Sequence, residues 1–98
     1  MQYSVESIKI DLQTVGFNET AELVEQVENE LRRIMRFRSD IVAADIYLRE
    51  EGRNPTDNKL VRWRLGIPGN DLFAEGTGPS WAAGLRDAGD KLRRQFID

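Results

Sequence analysis

The chain has 98 residues, 40% of them hydrophobic and 32% charged, with a formal net charge of -3. That length suits one small domain burying roughly 60 to 65% of its unfolded surface, and no apolar run approaches the roughly 18 residues that a membrane span needs. Cysteine and histidine are absent, which removes disulfides, thiolate nucleophiles, zinc-thiolate sites and the commonest general base and metal ligand. The start of the chain, with Glu6 and no basic residue before it, does not read as a secretory leader, so a cytoplasmic location and no membrane partner are expected. Residues 1 to 48 hold 5 basic and 9 acidic side chains and residues 49 to 98 hold 9 and 8. A chain acidic overall attracts nucleic acid only through a local basic patch.

Taken in order, the first pattern runs from Tyr3 to Gln13, where Ile8, Ile10 and Leu12 alternate with Lys9, Asp11 and Gln13. This period of two predicts a half-buried strand. Val15-Gly16-Phe17 turns the chain, and Asn18 is the expected N-cap of a helix, its side-chain oxygen accepting from a first-turn amide. The helix is predicted over Asn18 to Arg38, with a core-facing stripe at Ala21, Val24, Val27, Leu31 and Ile34. Glu28 and Arg32 stand four apart in the favourable order.

Charge is sorted along this helix. Glu19, Glu22, Glu25, Glu28 and Glu30 precede Arg32, Arg33, Arg36 and Arg38, with no acid among the arginines. One reading is compensation of the helix dipole, by acids near the start and arginines near the end. The other is a phosphate contact, since four arginines fall within seven residues at the end of a rigid element.

Ser39-Asp40 ends the helix, and Val42, Ala44, Ile46 and Leu48 alternate as a second strand. Glu50 to Asn58, with Gly52, Asn54 and Pro55, reads as a long exposed hairpin loop. Val61, Trp63, Leu65 and Ile67 make a third strand with Arg62 and Arg64 facing outward. Pro68-Gly69-Asn70 turns into a short fourth strand, Asp71 to Glu75, and Thr77-Gly78-Pro79 marks a helix start. Trp81, Leu85, Ala88, Leu92 and Phe96 give the second helix its stripe.

The order β-α-β-β-β-α predicts an α+β two-layer sandwich: one domain over residues 1 to 98, with a four-stranded sheet and both helices on one face. Val24, Val27, Leu31, Trp63, Leu65, Trp81, Leu85 and Leu92 are its expected core. The first strand reaches its neighbour by a crossover through the helix, and the later strands form antiparallel hairpins.

In this order of elements the chain resembles the ribosome hibernation promoting factors, also called ribosome-associated inhibitors or sigma-54 modulation proteins. The matching words are Val15-Gly16-Phe17-Asn18-Glu19, Leu31-Arg32-Arg33-Ile34-Met35-Arg36-Phe37, and Pro68-Gly69-Asn70-Asp71-Leu72-Phe73-Ala74-Glu75. In the last helix they are Trp81-Ala82-Ala83 and Asp90-Lys91-Leu92-Arg93-Arg94-Gln95.

The resemblance implies a non-enzymatic protein, and the missing histidine and cysteine lead to the expectation of no cofactor or metal. Its partner would be the small ribosomal subunit, in the channel of messenger and transfer RNA, where it silences translation in stressed or stationary cells. It implies ribosomal RNA contacts at Arg33 and Arg36 on the first helix and at Lys91 and Arg94 on the second. Arg32 and Arg38 belong to the same charge cluster, and Arg62 and Arg64 are further candidates on the sheet. Two features depart from the family: Asn29 and Glu30 stand where basic residues are common, and Phe96-Ile97-Asp98 replaces a lysine-rich tail. Ending before a C-terminal dimerisation domain, the chain resembles the short type, expected to be monomeric when free and to take no small-molecule substrate.

Blander readings stand beside these. Arg62 and Arg64, with Tyr47 and Arg49 beside them, make either an open basic face with a stacking aromatic or cross-strand pairs with Asp11 and Asp45. Trp63 and Trp81 lie on apolar stripes and read as core anchors. Gly84 and Gly89 read as points of close helix approach, and Gly76-Thr77-Gly78 as a plain helix start rather than a phosphate loop. A double-stranded RNA-binding domain has a similar order but needs lysines where this chain has Ser80, Trp81 and Ala82. A divergent relative, using its acidic first helix for a protein partner, is the remaining alternative. No carboxylate pair with a plausible partner supports an enzyme.

Overall fold

A computed structural model describes residues 1 to 52 and 56 to 96. The elements are β1 (Gln2–Val5), β2 (Ile8–Val15), α1 (Ala21–Met35), β3 (Ala43–Glu50), β4 (Lys59–Ile67), β5 (Asn70–Gly78) and α2 (Trp81–Arg94). The strands form one mixed sheet in the order β1-β2-β3-β4-β5, with β2 and β3 parallel and the other neighbours antiparallel. The α+β class and the crossover through the first helix are as expected, but the sheet has five strands where four were predicted.

The extra strand comes from the predicted Tyr3 to Gln13 segment, which folds back on itself. Val5 pairs with Ile8 across a two-residue turn, and Glu6 takes the left-handed φ of 55° that closes it. No glycine, proline or asparagine announces that turn, and a positive φ is uncommon for a glutamate. The predicted short fourth strand extends to Asn70–Gly78, so Gly76, Thr77 and Gly78 pair with β4 and do not open the helix. Arg53 to Pro55 of the expected hairpin loop lie outside the described residues.

Both helices begin later than expected. Thr20, not Asn18, caps α1, its hydroxyl accepting from the Leu23 amide at 3.1 Å. Ser80 does the same for Ala83 in α2 at 3.2 Å. With α1 so framed, Leu23, Val27, Leu31 and Ile34 are buried, while Ala21 is exposed and Val24 half-buried. The larger Leu23, four residues before Val27, takes the core position assigned to Ala21 and Val24. Arg32 reaches Glu6 at 3.1 Å across the β1–β2 turn rather than Glu28.

One core joins Ile8, Ile10 and Leu12 of β2, Ala44, Ile46 and Leu48 of β3, and Val61, Trp63 and Leu65 of β4 to the buried faces of both helices. Of the expected core, Val27, Leu31, Trp63, Leu65, Leu85 and Leu92 are buried. Trp81 is half-buried, its ring stacked on Phe17 at 5.0 Å. Val42 precedes β3 and is exposed. Tyr3 packs against the core with its hydroxyl buried; burial, with the Glu28 charge adding, pushes the phenol up to about 12, so it stays neutral.

Glycines set how closely α2 can approach, Gly76 and Gly89 most tightly. A Cβ on Gly76 of β5 would lie 2.3 Å from the Ala88 backbone nitrogen and 2.5 Å from the Gly84 carbonyl oxygen, so helix backbone sits directly on strand. A Cβ on Gly89 would lie 2.2 Å from Oε2 of Glu30, which places α2 against α1 there.

From that position α2 also covers the outer edge of β5. Asp87, Lys91 and Gln95, four residues apart on the helix, reach three backbone groups of alternate residues of the strand. The Thr77 amide donates to Asp87 at 3.0 Å, Lys91 Nζ donates to the Glu75 carbonyl at 2.9 Å, and Gln95 Nε2 donates to the Phe73 carbonyl at 2.6 Å. Each of these three groups meets a side chain of the matching hydrogen-bonding sense.

Candidate nucleic-acid interface

The two helices run the same way. Their starts meet around Thr20, Leu23, Ser80 and Trp81, which line one shallow cleft, and their ends meet around Arg33, Phe37, Asp90, Arg93 and Phe96. The negative ends of both helix dipoles therefore lie together, where cations are favoured. Arg32 and Arg33 stand in the last turn of α1 and Lys91, Arg93 and Arg94 in the last turn of α2.

Within this pole the predicted residues differ in what they hold. Arg33 donates to Glu30 at 3.0 Å and across to Asp90 at 2.7 Å, and Arg86 approaches the same Asp90 oxygen at 3.6 Å. The hydrogen bond from Glu30 leads in raising the Arg33 guanidinium above its ordinary value; Asp90 adds to it and partial burial opposes it. Partial burial alone would raise the Asp90 carboxyl, but its hydrogen bond and attraction to Arg33, with Arg86 helping, outweigh this and hold it below the ordinary value. Glu30 is only 8% exposed, so this chain of charges ties α1 to α2. Arg38 is held by Asp40 at 2.6 and 3.1 Å, and Arg32 by Glu6.

Lys91 is bound to the β5 edge and to Asp87 at 3.3 Å. Arg36 and Arg94 are exposed and make no ion pair among the described residues. Arg93, which the sequence pattern did not single out, shares that state and lies over the Phe37 ring at 4.0 Å from its centroid. Its partner is 56 residues away in the sequence, and only a third closing-motif basic residue between Lys91 and Arg94 hinted at it.

Arg62 and Arg64 fall on the sheet, away from the helix ends. Arg62 binds Glu75 at 2.8 Å and lies over Tyr47 at 5.8 Å; Arg64 binds Asp45 at 2.6 Å and Asp71 at 3.1 Å. The cross-strand pairing anticipated with Asp45 is present, whereas Asp11 accepts from Gln13 at 3.4 Å. The shallow hollow here, lined by Asp11, Asp45, Tyr47, Arg62, Arg64, Phe73 and Glu75, contains as many carboxylates as it would need to neutralise its arginines. Opposed charges of this kind give phosphate little net attraction. Among the described residues no cluster of acidic side chains is arranged to hold a metal, and no helix is long and apolar enough to cross a membrane.

A mixed sheet, two parallel helices and a pole of uncompensated arginines where those helices end define a small charge-bearing α+β domain. Residues 10–98 match the family model described as "Sigma 54 modulation protein / S30EA ribosomal protein", and the chain belongs to that family. The fold is that of the Protein Y N-terminal domain of Thermus thermophilus, with a TM-score of 0.75 and 21% identity over 88% of this chain and 91% of that one. A ribosomal subunit interface protein from Coxiella burnetii is similar to the same degree, with a TM-score of 0.74 and 23% identity over 89% of this chain and 91% of that one. No curated protein sequence matches the chain significantly.

Proposed function

We propose that this protein is a cytoplasmic, non-enzymatic ribosome hibernation factor. It settles on the small ribosomal subunit in the channel of messenger and transfer RNA and stops translation under stress or in stationary phase. The observation that carries the reading is the pole itself: in a family member of net acidic charge, Arg36, Arg93 and Arg94 stand exposed without a carboxylate partner among the described residues. Uncompensated guanidinium groups are those free to displace counterions from RNA phosphates, whereas an arginine already bidentate to a carboxylate must first give that up. Both helices present these groups at one end of the molecule, so a single face meets the RNA backbone.

Sedimentation of the purified protein with ribosomal subunits through a sucrose gradient tests this. Co-migration with the small subunit is expected, together with inhibition of cell-free translation in proportion to the ratio of protein to ribosomes. A protein that stays at the top of the gradient at low salt overturns the reading. That result would favour a divergent relative that has turned to a protein partner, for which six of the eight sequence-selected cations being internally bonded is the supporting observation.

A further inference from the structure

Two arginine–phenylalanine contacts cross between the helix ends, and they differ in what they leave open. Arg38 lies 5.6 Å from the centre of the half-buried Phe96 ring and is bidentate to Asp40, so both partners are engaged. Phe37 remains 53% exposed, and the Arg93 guanidinium lies at 4.0 Å over it with no carboxylate to hold among the described residues. At that distance the guanidinium carbon is in van der Waals contact with the ring face, which fixes the group without consuming its in-plane donors. A site for phosphate alone needs those donors but has no use for an exposed phenylalanine in a charged surface. An exposed ring with a planar cation laid on it suits a flat ligand that carries its own phosphate.

We propose that Phe37 and Arg93 form a stacking platform for one unpaired nucleobase of RNA, with Arg36 and Arg94, their neighbours in sequence, taking the adjoining phosphates. This rests on the reading of the pole as an RNA contact and names the part of the RNA it grips. A paired base has both faces covered within the duplex, so the platform selects looped, bulged or single-stranded nucleotides.

The test compares a short single-stranded RNA with an abasic ribose-phosphate strand of the same length and charge, each bound to the full chain in solution. The wild-type protein is expected to prefer the base-bearing strand by about tenfold, the scale of one stacked base. Phe37→Leu and Arg93→Lys should each reduce the affinity for the base-bearing strand to that for the abasic strand, and Arg93→Lys should leave the salt dependence unchanged because it keeps the charge. Phe37 is exposed, so Phe37→Leu leaves the core intact, and circular dichroism verifies the fold of both variants. Equal wild-type affinity for the two strands, no binding of either, or an undiminished preference in both variants overturns the platform. None of these results alters co-sedimentation with the small subunit, which is where the ribosome reading itself succeeds or fails.

Discussion

Arg33 of α1 stands 2.7 Å from Asp90 of α2 while also holding the buried Glu30 of its own helix. This residue, selected from the sequence as an RNA contact, is a tie between helices. Arg33→Gln should lower stability by about 2 to 3 kcal/mol, because it strands a nearly buried carboxylate. Urea denaturation measures it, and a loss under about 0.5 kcal/mol would return Arg33 to the surface class.

The Asp90 carboxyl is held below its ordinary value of 3.8, so its contribution is present above that value and is lost as pH falls through the lower folded one. The wild type should therefore lose stability relative to Asp90→Asn as the solution is acidified below about pH 4. Parallel thermal melts of the two proteins across that range give the answer. Melting-temperature differences that stay constant with pH would show that Asp90 is not the coupled group.

Binding and stability should separate by residue. Arg36→Gln with Arg94→Gln is expected to leave the melting temperature within a degree or two, roughly the range of exposed substitutions. It should weaken attachment to the small subunit and flatten the plot of log affinity against log salt by about one for each phosphate that is no longer neutralised. Arg62→Gln with Arg64→Gln should leave the slope as it is, since both arginines are bound to carboxylates on the sheet. Filter binding at several salt concentrations distinguishes the pairs, and an unchanged slope in the Arg36/Arg94 variant would remove the pole from the interface.

Gly76→Ala tests the seating of α2. The added carbon meets helix backbone rather than a mobile side-chain end, so relief requires moving α2, at a cost of about 2 to 3 kcal/mol. Gly52→Ala is the comparison: nothing among the described residues lies within 4 Å of the new carbon, and a change within about 0.5 kcal/mol is expected. Equal destabilisation at both sites would contradict the close contact of strand and helix.

What the sequence disclosed follows the range of the interactions. Ile8, Ile10 and Leu12, and likewise Ala44, Ile46 and Leu48, could be placed in the core because alternation is a local property of a strand. The fold class and the crossover followed from the succession of such segments. The turn at Glu6 was hidden because the residue has no special propensity for its left-handed backbone. Asn18 and Thr20 are both competent caps two residues apart, and local chemistry does not choose between them. The candidate site was the least legible part. Whether an arginine is free depends on acids far along the chain, as Asp90 is for Arg33 and Asp45 for Arg64, and a basic cluster read in one dimension counts spent and unspent charges alike.

The three side chains that α2 lays along β5 settle where the sheet can grow. An exposed edge strand is a template on which another chain can add itself by backbone pairing. Here the rim of a nine-residue strand has one amide and two carbonyls already taken by Asp87, Lys91 and Gln95. At the opposite rim β1 has four residues and so offers only a short template. Lateral recruitment of a further strand is thereby directed away from β5, and a chain approaching that side meets the flank of a helix. Lys91, by holding the Glu75 carbonyl, thus closes part of that rim to backbone pairing.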